Sequence, residues 1–231
     1  MPTLTAFVLE TLTHPFTLRL SFRYGATRVY PDGYATHIAG CVRDGLIRPT
    51  IDTSVLAPDP SHMATPAGAF IMEPRGGEAH PMFFDPRNFE RAGAEVVVKP
   101  GLSGNELADL RGVVIHEATH ALQDWDQVEL DPRTAEGAAY LAGAMTRLLW
   151  GYRTFGPIVN PQCSGLSYSL YLAERLFREG EPGGAVPADD VHLLNGLVTT
   201  GNEGRYVYNG IRAQPARPGH HAHRGRRGAP S

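Results

Sequence analysis

The chain has 231 residues, 42% of them hydrophobic and 19% charged, enough for one large domain with its own core and unlike a fibrous or wholly disordered protein. Its formal net charge of −3 supplies no general attraction to nucleic acid or to an anionic membrane, so neither is an expected partner. Only two cysteines occur, Cys41 and Cys163, far apart and in no CxxC pattern, which argues against a disulfide framework and against a thiolate metal site.

Met1 to Leu12 carries no basic segment followed by an apolar one, and no stretch reaches the ~20 apolar residues of a membrane span. The cytoplasm is the expected compartment, with export that leaves no cleavable signal still open. The first hundred residues read as short strands and turns with one helix. Alternation over Phe16 to Tyr24 suggests a strand, and a helix is expected from Tyr34 to Asp44, between Gly33 and Gly45. Apolar runs at Ala69 to Met72, Met82 to Phe84 and Ala94 to Lys99 are bracketed by Pro or Gly and read as strands. The β-branched triplet Val96-Val97-Val98 is the strongest of them.

After Pro100 the pattern turns helical. Ser103 stands three residues before Glu106, the capping-box spacing, and predicts a helix from about Asn105 to Asp124. Asp131 can cap a second helix with Pro132 in its first position, continuing to about Trp150. Two more helices are expected at Gly165 to Glu179 and Ala188 to Thr199. The stretch from Gln214 to Ser231, rich in Pro, Gly, Arg and His, reads as a disordered tail, leaving residues 1–213 as one domain. The expected fold class is α+β. A small twisted sheet, its last strand Ala94 to Lys99 beside the site helix, would form one wall, and a helical C-terminal part the other.

The first of these helices contains His116-Glu117-Ala118-Thr119-His120, an HExxH motif. With this composition the motif arises by chance about 0.02 times per chain, so coincidence accounts for it poorly. Residues four apart share a helical face, so both imidazoles can reach one ion, while Glu117 sits roughly 100° round and points at the ion's open side. That arrangement suits zinc, with Glu117 as general base for a water whose pKa the metal lowers. The plainer alternative is a helix with two surface histidines. Against it stand the apolar flanks Leu107, Leu110, Val114, Ala118, Ala121 and Leu122, and a third ligand downstream.

Glu136, near the start of the second helix, is the leading third ligand, although an acid there is also stabilised by the helix dipole alone. Asp126 competes with it. A ligand six residues beyond His120 needs a helix that stops at a left-handed residue, usually Gly, where this chain has Gln123, so Glu136 is preferred.

The string from His116 to Asp124, HEATHALQD, resembles the HE(L)THALQD signature of bacterial zinc metallopeptidases. Ala135-Glu136-Gly137-Ala138-Ala139 resembles the helix that carries their glutamate ligand. The resemblance spans about 35 residues and implies a gluzincin-like zincin site with His116, His120 and Glu136 on Zn2+ and Glu117 as base. Tyr140 stands where thermolysin-like gluzincins commonly have an acidic residue four positions after the glutamate, so the orienting partner of His116 is not identified. The third His, the Gly and the Met-turn of metzincins are absent.

A transition-state donor opposite Glu117 could come from Tyr140, His192, Tyr206 or Tyr208. Tyr140 lies one turn after Glu136 on the same face, but an aromatic at that spacing more often serves the core, and a lone helical histidine such as His192 is usually structural or exposed. His220, His221 and His223 read as part of a solvated tail, and His62 and His80 as loop residues. The expected function is zinc-dependent hydrolysis of a peptide or protein substrate. The alternatives are an iron(II)-dependent oxygenase using the same two His and one carboxylate, or a metal-binding protein without turnover. The sequence does not speak to oligomeric state.

Overall fold

A computed structural model describes residues 1–55, 67–71, 78–127, 130–153, 164–179 and 183–198. His62, Met72, Cys163, Thr199, Tyr206, Tyr208 and the histidine-bearing tail lie outside these residues.

The chain opens with a helix that the sequence reading did not anticipate, α1 (Leu4–Thr13). Thr3 caps it, its hydroxyl oxygen accepting from Ala6 N–H at 3.2 Å. Leu4, Phe7, Val8, Thr11 and Leu12 recur at helical spacing and are buried. Each large apolar side chain among them stabilises the fold by about 1.5–3 kcal/mol relative to exposure. Of the Phe16 to Tyr24 segment only the end is a strand, β1 (Phe22–Tyr24), which pairs antiparallel with β2 (Thr27–Val29). The connecting turn uses Gly25 at φ 57. The helix expected at Tyr34 to Asp44 is present in two parts, a wide π-helical turn over Gly33–Ile38 and then α2 (Ala39–Arg43).

The strands form three small sheets rather than the single twisted sheet expected. β3 (Ile47–Thr50) runs parallel to β5 (His80–Phe84), and β4 (Gly68–Phe70) is antiparallel to β5 on its other side. β6 (Phe89–Ala92) and β7 (Glu95–Val98) make a separate hairpin. The valine triplet is thus a strand, but its position differs from expectation. Its outer side is taken by the N-terminus, through Val98 N–H to Pro2 O at 3.2 Å and a bridge between Thr3 and Val97. The strand that lies on the site helix is β4.

Among the described residues four helices follow, α3 (Gly104–Asp126), α4 (Pro132–Leu149), α5 (Gly165–Glu179) and α6 (Ala188–Leu197). The capping box of α3 has both of its bonds, Glu106 N–H to Ser103 Oγ at 3.3 Å and Ser103 N–H to Glu106 Oε2 at 2.7 Å. Asp131 caps α4 by accepting from the N–H groups of Arg133 and Thr134, each at 3.1 Å. The class is therefore α+β. Among the described residues no helix is long and apolar enough to cross a membrane.

α3 and α4 meet through small residues. A Cβ added at Gly143 would stand 2.8 Å from the Gly112 carbonyl oxygen, so the glycine at 143 lets the backbones touch, while a Cβ at Gly112 would meet the Arg147 side chain. Arg147 crosses Gly112 to donate from Nε to Asp109 Oδ1 at 2.7 Å, fastening the same crossing from its open side. Ala135, Ala138, Ala139 and Ala142 are fully buried along α4. This close approach is what brings ligands from two helices to one point.

Candidate metal centre

His116 and His120 project from one face of α3, and Glu136 projects from the first turns of α4 toward both. His116 Nε2 and His120 Nε2 are 3.3 Å apart. One Glu136 oxygen lies 3.4 Å from His116 Nε2 and the other 3.5 Å from His120 Nε2. A tetrahedral zinc with bonds of about 2.0–2.2 Å places its ligand atoms roughly 3.3–3.6 Å apart. The two imidazole nitrogens therefore stand at the edge length of such a site, each with a different Glu136 oxygen beside it, and one donor atom from each of the three residues lies within 4.8 Å of the others, a set of two imidazoles and one carboxylate whose chemistry fits zinc.

The arrangement also bears on the choice between Glu136 and Asp126. α3 does not break at Gln123 but continues to Asp126, and the left-handed residue that ends it is Gln127, at φ 54 and ψ 37. A non-glycine residue thus does take that conformation here, one turn later than an Asp126 ligand would require. Asp126 is carried to the exposed end of the helix, where it accepts from Tyr30 O–H at 2.9 Å.

Glu117 is 4% exposed, and its Oε1 lies 4.0 Å from His116 Nε2. Burial pushes its carboxyl above the usual range. The charges of His116 and His120 oppose this, Glu136 adds to it, and a hydrogen bond from the Phe70 backbone opposes it again. The Phe70 amide reaches Glu117 because of the pairing of β4. Ile71 N–H donates to Pro81 O and Asp85 N–H to Ala67 O, so the odd-numbered residues face β5. Alternation leaves the main-chain groups of Gly68 and Phe70 on the outer edge. A Cβ at Gly68 would be 2.7 Å from Glu117 Oε1, so only glycine lets the strand come this close.

The charges of Glu136 and His120 shift each other's titration. Burial lowers the pKa of His120, but the Glu136 carboxylate, by charge and hydrogen bond, raises it to about 9. Burial acts to raise Glu136, yet His120 and His116 hold it far below the usual carboxylate range.

Tyr140 packs its ring edge-on against His116, with centroids 4.9 Å apart, and its hydroxyl pKa is raised by burial and by Glu136. It belongs to the wall of the site. His192 is exposed on α6 and lines a separate surface pocket of about 330 Å³ with Arg23, Val186, Val191 and Asn195. No member of the triad lines that pocket. His80 is a buried strand residue of β5, not a loop residue, and stacks on Phe70 at 5.7 Å.

Three contributors escaped the sequence reading. Gln123, which enters the sequence analysis only as the residue standing where a helix-ending glycine would be needed, is 2% exposed and lies between His120 and α4. Its position three residues after His120, on the same helical face, was the available signal. Gly68 and Phe70 act through backbone, which no side-chain motif reports. In comparisons with protein-family models, with curated proteins and with solved structures, nothing matched this chain.

Proposed function

We propose that the protein is a zincin-like, zinc-dependent metallopeptidase or amide hydrolase. The observation that carries this reading is the convergence of one donor atom each from His116, His120 and Glu136 within 4.8 Å of one another, with the buried carboxylate of Glu117 alongside. When bound, zinc supplies Lewis acidity to a carbonyl oxygen and lowers the pKa of a water to about 7. The chain supplies the rest.

Glu117 takes a proton from the attacking water and passes it to the leaving nitrogen. Burial raises its pKa, the direction that suits a carboxylate which must give up a proton as well as accept one. The Phe70 N–H orients the carboxylate, and the glycine at 68 keeps the strand close enough for that bond. Tyr140, beside His116, is the nearest candidate to steady developing charge on the substrate oxygen. With the Phe70 N–H given to Glu117, the other main-chain groups on the outer edge of β4 are those to which an extended peptide can add by backbone hydrogen bonds.

The test uses the full chain loaded with zinc, a mixture of unstructured peptides as substrate, and Glu117→Gln as the variant. Both proteins are expected to bind one zinc, while the variant loses about 10²–10⁴-fold in hydrolytic rate. A variant with the full rate would remove Glu117 from the mechanism. A wild-type protein that leaves peptides intact but consumes oxygen with iron and a 2-oxo acid would replace the hydrolase by an oxygenase.

A further inference from the structure

We propose that Gln123 is the positioning residue for His120: its side-chain oxygen fixes the proton on Nδ1 and so turns the Nε2 lone pair toward the metal, while its amide nitrogen anchors α3 to α4 beside Glu136. The inference rests on the metal-site reading above and concerns His120, not the partner of His116 that the sequence leaves unidentified.

The argument is one of donors and acceptors. Gln123 Nε2 donates to the Ala135 carbonyl oxygen at 3.1 Å. A carbonyl oxygen can only accept, so this contact decides which end of the amide faces which way. The other end, Oε1, then lies 3.2 Å from His120 Nδ1. An amide oxygen also can only accept, so Nδ1 must be the donor. A neutral imidazole with its proton on Nδ1 has its lone pair on Nε2, the nitrogen that faces Glu136 and His116. Gln123 is 2% and His120 4% exposed, so solvent competes little for these bonds.

The second bond has its own consequence. Ala135 directly precedes Glu136 in α4, and its carbonyl is held by a side chain that also holds His120. One amide therefore sets the orientation of one ligand and the height of the helix that delivers another. A neutral partner also leaves the positive charge of the metal less compensated than a carboxylate partner would, which favours acidification of its water.

The experiment reads the ring nitrogens of the zinc-loaded full chain by long-range ¹⁵N–¹H correlation, together with zinc affinity by competition with a chelator. In the wild type, His120 should coordinate through Nε2 and show a solvent-protected Nδ1–H. Coordination through Nδ1, or a freely exchanging Nδ1–H, overturns the proposal without recourse to any variant. Gln123→Met, similar in shape but without the acceptor, should lose the protected resonance and weaken zinc by about 10–100-fold, the range for outer partners of a ligand. Gln123→Glu, which keeps an acceptor, should retain the resonance. Unchanged affinity and resonance in Gln123→Met would overturn the role of Gln123 while leaving the metal site intact. A wild-type chain that binds no zinc would overturn the metal site and this inference with it.

Discussion

Two buried polar clusters face different fates in this molecule. Between α5 and α6, Asp190 accepts from Tyr168 O–H at 2.7 Å through one oxygen and from Arg175 Nη2 through the other. Both oxygens of the carboxylate meet donors within the chain, although Arg175 Nε finds no hydrogen-bond acceptor among the described residues. Between α3 and α4, two imidazoles and a carboxylate crowd a single point, and in their unprotonated forms all three are acceptors there. Only protons or a cation can stand between them. The first pattern is what stability alone produces, since a buried carboxylate is matched by donors. The second is sensitive by construction to metal and to pH.

The largest expected break in that contrast is Glu136→Gln, which removes a ligand oxygen's charge from the open cluster. Zinc affinity should fall by more than about 100-fold, beyond the range for outer partners of a ligand. Asp126→Asn, at the exposed end of α3, should leave affinity nearly unchanged. Isothermal titration of both variants checks the pair, and the reverse ranking would move the third ligand to Asp126.

A smaller effect comes from pH, and its sign differs with and without metal. The pKa of His120 is raised from 6.5 to about 9 in the metal-free fold. Its contribution to stability is therefore complete below the unfolded value of 6.5 and is lost as pH rises through about 9. Thermal melts of the metal-free chain should show stability falling across that interval. Zinc affinity should run the other way, rising about tenfold per pH unit while one proton is displaced. A metal-free stability that climbs from neutral to alkaline pH would contradict the protonated cluster.

The Asp190 cluster sharpens the comparison from the other side. Asp190→Ala strands the buried Tyr168 hydroxyl and should destabilise the fold by about 1–3 kcal/mol, read from denaturant unfolding. Zinc affinity of the folded variant should stay as in the wild type, because no ligand is touched. A parallel loss of zinc would show that the two clusters are coupled through α4.

Much of the helical half was legible from local chemistry. The capping box at Ser103 and Glu106, the Asp131-Pro132 start and the HExxH spacing are all short-range features, and the structure has a helix at each. α1 was legible too, in the buried spacing of Leu4, Phe7, Val8, Thr11 and Leu12 and in the Thr3 cap, but the segment was weighed only as a possible leader. The sheets were not. Apolar runs between Pro and Gly identify strands, yet partner choice depends on residues far apart in sequence, which is why β7 was expected on the site helix and β4 lies there.

By itself, then, the sequence determined which helices form and which side chains share a helical face, because those follow from interactions within a few residues. Tertiary structure decided what one chain segment does to another. The close backbone approach at Gly143 brings Glu136 within reach of the two histidines, and the strand edge at Gly68 and Phe70 takes hold of Glu117. Gln123 joins His120 to the backbone of α4. Each of these depends on backbone approach or on an amide read from both ends, and neither has a periodicity that a sequence could display.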